Sequence, residues 1–325
     1  MTVAGGSRRF APRDALPASV LEGAMRRVLP LLLAAVALAA CRRPPAADPA
    51  YAAEIGTARA LRETRLASES GWLTLVALHW LTPGENPFGS DPALPPSLEA
   101  PGIPARAGAF VLGPDGAVRL AVEAGAPVTV DGAPPTGAPL VTDRDGKPSV
   151  VEVGRVRLTV IDRGGKLAVR ARDPESPRRG GFRGIEHFPL DPALRVEATF
   201  EPYDAPREIE VPSAQGPAQK SLAPGLVRFT IGGKERTLEP TVESPDDDTL
   251  FFVFGDATNG TETYGAGRFL YATAPRGGPS KVVLDFNLAQ NPPCAFTPYA
   301  TCPLVMPRNV LPERVEAGEK VPAGH

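Results

Sequence analysis

The chain has 325 residues, a formal net charge of −2, 42% hydrophobic residues and 6% aromatic residues. Near-neutral charge without a basic patch or arginine-rich tract excludes the electrostatic footprint that nucleic-acid backbones require. Glycine and proline together make 72 residues, below the level that marks disorder, and they fall between apolar runs, as turns do.

Residues 1–24 carry no pattern of their own and are expected to be an extension ahead of a start at Met25. Residues 25–40 read as a lipoprotein signal peptide. Arg26 and Arg27 form a basic start, and Val28 to Ala40 form an apolar run. That run is short of the ~20 apolar residues of a membrane-spanning helix but fits a secretory signal. Leu38-Ala39-Ala40-Cys41 resembles a bacterial lipobox, which implies cleavage before Cys41 and lipidation there. Acyl chains contribute about 0.8 kcal/mol per buried methylene, so several of them anchor a chain stably. The expected partner is therefore a membrane, reached through lipid on Cys41. The expected location is the cell envelope, on the periplasmic face of the outer membrane in a Gram-negative cell, since Arg42 rather than Asp follows the cysteine. Removing residues 1–40 takes away five basic and two acidic residues and moves the formal charge from −2 to −5.

Residues 41–50 read as a tether. An amphipathic helix is expected over 51–70, with Asp48 as N-cap, Pro49 at the first helical position and Gly71 ending it at positive φ. Beyond Gly71 the period changes to two, and residues 71–325 read as one β-rich domain with an irregular C-terminal tail. Residues 72–81 are apolar on both faces and fit a buried strand. Hairpins are expected over 109–122, 156–172 and 226–242, each breaking at glycines that supply the positive φ of tight turns. Further strands are expected at 128–130, 149–153, 194–200, 249–254, 267–273 and 281–287, with Pro-rich loops near 87–106 and 212–224. The fold class is mainly β: an antiparallel β-sandwich or partly closed barrel preceded by one N-terminal helix.

The usual catalytic signatures are absent: no Gly-x-Ser-x-Gly, no His-Glu-x-x-His, no phosphate-binding glycine loop and no Cys-x-x-Cys. His79 and His187 sit among apolar neighbours and read as packing residues. The acidic run at 244–250 reads as a solvated turn, and 143–148 lacks the spacing and terminal Glu of a calcium loop. No metal and no cofactor are expected.

One polar set stands out. Arg268 and Tyr264 share a face of one strand; Asp285 and Asn287 share a face of the next. Pairing the two strands as a hairpin, with Phe269 opposite Phe286, aligns the apolar faces and sets Arg268 opposite Asn287 and diagonal to Asp285. Such a cluster is either a structural network or a site for an anion or sugar. Cys294 and Cys302 are the thiols left in an exported chain, and an even count in an oxidising compartment favours a disulfide. Closing that loop would stabilise by roughly 2.5 kcal/mol; a metal site, a reactive thiol or two free thiols remain open.

The stretches 71–91, 172–204, 265–272 and 284–304, with AGEK at 317–320, together resemble the bacterial and archaeal family called domain of unknown function 1684. The resemblance spans about residues 50–320. It rests on Gly71, Trp72, Asn86, Arg268, Asp285, Asn287, Asn291, Cys294 and Cys302, and it implies no established activity. It adds Asn291 to the candidates Tyr264, Arg268, Asp285 and Asn287. The expected function is an uncharacterised envelope lipoprotein that binds a small polar or anionic ligand or serves a structural role. The alternative is a hydrolase-type enzyme using Asp285 with Arg268.

Overall fold

The computed structural model describes residues 47–275 and 278–322. The signal segment and the lipidation candidate Cys41 lie outside the described residues. Helix α1 (Pro49–Leu66) starts where its sequence dictates. Asp48 caps it, accepting from the backbone N–H groups of Ala50 at 2.9 Å and Tyr51 at 3.2 Å, which satisfies two of the otherwise orphaned donors.

The end of the helix differs from expectation. Gly71 lies in extended backbone at φ −68° and ψ 170°, and α1 ends at Leu66. Gly71 is needed for space rather than for positive φ: a Cβ there would sit 2.2 Å from the Leu66 carbonyl oxygen and 2.6 Å from that of Arg65. The chain then makes a 3-10 turn, Trp72–Thr74, where a strand was expected.

Among the described residues fourteen strands follow: β1 (Leu75–Trp80), β2 (Gly84–Phe88), β3 (Gly108–Leu112), β4 (Val118–Val122), β5 (Val128–Val130), β6 (Val151–Val153), β7 (Val156–Arg163), β8 (Lys166–Arg172), β9 (Arg195–Val211), β10 (Gln219–Ile231), β11 (Lys234–Leu238), β12 (Thr249–Phe254), β13 (Arg268–Thr273) and β14 (Ser280–Asp285). They form four antiparallel sheets, ordered β1-β8-β7-β6-β5, β2-β3-β4, β11-β10-β9-β14 and β12-β13. The fold is thus mainly β with one main helix near its start, and among the described residues no sheet closes into a barrel.

The three short-turn hairpins form where expected, as β3–β4, β7–β8 and β10–β11. Two strands run further than expected because prolines masked them. β9 continues through Pro202 and Pro206, and β10 begins before Pro224. Their ladder shifts register between Ala223 and Gly225. Proline cannot donate to a ladder, so it is tolerated where a bulge interrupts one.

Two cores result. The five- and three-stranded sheets bury Phe88 and Phe110, with ring centroids 5.0 Å apart, among Val153, Leu158 and Val169. The strands from β9 onward bury Phe229, Phe254 and Phe286, with Phe286 5.8 Å and 5.4 Å from the other two rings. Each such side chain stabilises by about 1.5–3 kcal/mol relative to exposure. A third, smaller cluster joins Val253, Phe269, Ala300 and Cys302 with Trp72, Phe251, Cys294 and Val305. It brings the turn after α1 against the C-terminal loops.

Candidate functional site

The hairpin expected between β13 and β14 does not form. β13 pairs with β12, so Arg268 lies opposite Phe254, and β14 pairs with β9. Phe269 exchanges backbone hydrogen bonds with Gln290 instead of facing Phe286. The apolar match that favoured the hairpin is met by other strands, and the five sequence-derived candidates separate into distinct places.

Arg268 is fully buried and donates to Asp256 Oδ2 at 2.6 Å. It also donates to the carbonyls of Val315 and Ala317 and lies over the Phe254 ring. Asp256 in turn accepts from the backbone and hydroxyl of Thr258. This is a sealed lock between the loop after β12 and the C-terminal segment, and burial lowers the guanidinium below its ordinary value.

Asp285 and Asn287 stay together, beneath α1 rather than beside Arg268. Tyr51 donates its hydroxyl to Asp285 at 2.8 Å, and Asn287 donates its backbone N–H to Asp285 Oδ1 at 3.0 Å. The Asn287 amide bridges Asp191, accepting from its N–H at 3.0 Å and donating to its carbonyl at 2.8 Å. Burial, then the bond to Asp285, raises the Tyr51 phenol above its ordinary range. Asn291 is also buried. Its backbone N–H donates to Glu319 at 2.7 Å and its amide to the Lys320 carbonyl. Arg62, projecting from α1, pairs with Glu319 at 3.0 Å.

Tyr264 reaches the cysteine loop, donating to the Cys294 carbonyl at 3.2 Å. The expected disulfide is not formed: Cys294 and Cys302 are free thiols. They are adjacent nonetheless, since the Cys294 backbone N–H donates to Cys302 Sγ at 3.1 Å.

The most unusual electrostatics lie next to these thiols, in residues that sequence reasoning did not single out. On β8, Val169 and Ala171 point into the first core, so alternation turns Arg170 and Arg172 to the opposite face. There both guanidiniums lie over the Trp72 ring, 5.4 Å and 5.7 Å from its centre, a favourable cation–π arrangement. Arg170 is 5% exposed. Its Nη2 donates to Thr301 Oγ1 at 3.2 Å, and its Nε is buried without a partner. Arg163 Nε donates to the same hydroxyl at 3.3 Å. Asp143 pairs with Arg163 at 2.8 Å, which leaves Arg170 without an ion-pair partner among the described residues. Burial, followed by the like charges of Arg163 and Arg172, lowers the Arg170 guanidinium to about 10.

Arg163 and Thr301 open onto a cleft of 1280 Å³ that also exposes the stacked rings of Phe251 and Tyr271, 5.1 Å apart. Seven carboxylates and three basic side chains line it, with Lys220 paired to Glu208 and Arg163 to Asp143, so the unpaired positive charge at the Arg163–Thr301 corner comes from Arg170 behind it. Among the described residues no group of three or more His, Cys, Asp or Glu side chains is placed to hold a metal ion. His79 and His187 are half-buried, and burial lowers both imidazoles.

A mainly antiparallel β protein with a sealed Arg–Asp lock and a small cationic corner defines a class by architecture rather than by chemistry. Residues 180–320 match the family described as "Protein of unknown function (DUF1684)". The match is shorter than the 50–320 span of the resemblance. An uncharacterized protein of Haloarcula marismortui, solved in solution by NMR, is 32% identical over 47% of this chain and 83% of its own, with a TM-score of 0.40. No curated protein matches the chain.

Proposed function

We propose that this protein is an envelope lipoprotein, anchored through Cys41, that binds a small anion at the corner formed by Arg163, Thr301 and Arg170. The single observation carrying the binding site is Arg170. A buried cation is costly unless paired, yet this one shares a neutral hydroxyl with a second arginine and leaves its own Nε unpartnered. An oxyanion seated against Arg163 and the Thr301 hydroxyl would supply the missing counter-charge, with Arg170 behind. The carboxylates lining the cleft limit the site to small ligands held by direct contact. The order of basic start, apolar run and lipobox supports the anchor; Cys41→Ser should move the chain from the membrane to the soluble fraction.

The binding reading is tested by thermal shift at constant ionic strength with phosphate, sulfate and acetate. At least one should raise the melting temperature saturably, and Thr301→Val should weaken that response. Equal, unsaturable shifts in both proteins would reject the site. The hydrolase alternative finds no support in the geometry. Asp285 is engaged by Tyr51 and by Asn287, and Arg268 is buried elsewhere on Asp256.

A further inference from the structure

The two thiols beside Arg170 are unlike a pair of inert core cysteines. Cys302 is 3% exposed, whereas Cys294 is only half-buried and sits on a 3-10 turn, Pro293–Ala295. The chain folds the two together across Pro298, and the Cys294 N–H donates to Cys302 Sγ. We propose that Cys294 and Cys302 form a thiol–disulfide exchange centre, in which Cys294 attacks a small disulfide and Cys302 resolves the product.

Three features give the pair its asymmetry. Cys294 is the more accessible residue and Cys302 the enclosed one. Contact with Cys302 holds the Cys294 thiol below its ordinary value, against the effect of burial. The Cys302 thiol is pushed up, first by its bond to Cys294 and then by burial. The thiolate is the nucleophile, so the more accessible of the two cysteines is the one placed to attack. Arg170 and the Cys294 N–H oppose the rise at Cys302, which eases its proton loss at the resolving step.

The chemistry balances with one co-reactant, a small disulfide R–S–S–R. The Cys294 thiolate attacks one sulfur, forms Cys294–S–S–R and expels R–S⁻, which takes up the proton Cys294 released. Cys302 then loses its proton and attacks Cys294 Sγ. The protein bridge closes, and the second R–S⁻ leaves and is protonated. Two protein thiols are oxidised and one disulfide is reduced to two thiols; an excess of small thiol runs the sequence backwards. The inference does not depend on anion binding, because it rests on the sulfur pair and not on the Arg163–Thr301 corner.

The test uses the reduced full chain and glutathione disulfide. Peptide mapping after acid quench should find Cys294 bridged to Cys302. In Cys302→Ser, glutathione should be trapped on Cys294. In Cys294→Ser, Cys302 should stay unmodified over the same interval. For the unaltered chain, iodoacetamide should modify Cys294 at least tenfold faster than Cys302 at pH 7. The proposal is overturned if no bridge forms while the unfolded chain forms one readily. It is equally overturned if the two cysteines alkylate at the same rate, or if glutathione settles on Cys302. The alkylation rates need no variant and decide the matter should either substitution impair folding.

Discussion

Arg268 donates to Asp256 at 2.6 Å with both side chains fully buried. Breaking a buried pair by removing one partner strands the other charge and costs about 3–5 kcal/mol. Arg268→Ala is therefore expected to lose that much in urea unfolding, and Asp256→Asn to be destabilising as well. Neither change should abolish an anion-dependent thermal shift in whatever fraction remains folded, since the lock is separate from the cationic corner.

Tyr51 ties α1 to Asp285 and Asn287 across more than two hundred residues of sequence. Hydrogen bonds to a charged group contribute about 1.5–3 kcal/mol net. Tyr51→Phe should lower stability by roughly that amount and should speed amide exchange in α1 more than in β7 or β8. Uniform exchange in the variant would show that the helix is held by other contacts.

Gly71 has no room for a side chain against the Leu66 carbonyl. Gly71→Ala should force the helix end to shift, costing roughly 1–3 kcal/mol, the range of overpacked sites. A neutral result in thermal unfolding would mean that the turn yields easily.

Glu319 gives the fold a pH dependence. It is 2% exposed, and burial raises its carboxyl above the ordinary value, outweighing the opposing effect of Arg62. A raised folded value contributes stability that is fully present below the unfolded value and is lost as pH rises through the folded one. For this group, stability should therefore fall as pH climbs from near 4.5. Glu319→Gln should flatten that stretch of the profile, measured by urea midpoints at several pH values.

Local features were readable from sequence because their causes are local. Asp48-Pro49 announces the helix start, and glycine turns announce β3–β4, β7–β8 and β10–β11. Long pairings were hidden where prolines occupy a bulge, as in β9 and β10. The polar face of β13 and β14 misled because apolar alternation fixes which face of a strand is buried but not which strand covers it. Arg268 satisfies that alternation equally well against Phe254. Its partner Asp256 lies only twelve residues upstream, in a turn-rich run whose Asp and Thr side chains bond one another. The Arg170–Thr301 contact joins positions 131 apart, and no spacing rule connects them. The one available signal was the presence of two arginines on the same face of β8.

That face carries the central claim. Arg170→Met removes a buried charge that has no ion-pair partner among the described residues, and replacing buried charge by apolar volume is often neutral or stabilising by about 1–4 kcal/mol. The variant should thus melt no lower than the parent in anion-free buffer. Isothermal titration calorimetry of both proteins with the anion that gives the largest thermal shift, at constant ionic strength, is the most direct measurement. The parent should give a saturable one-site isotherm, and Arg170→Met should raise the Kd at least tenfold while remaining folded. An unchanged Kd, or no saturable heat from the parent with phosphate, sulfate or acetate, would contradict the assignment.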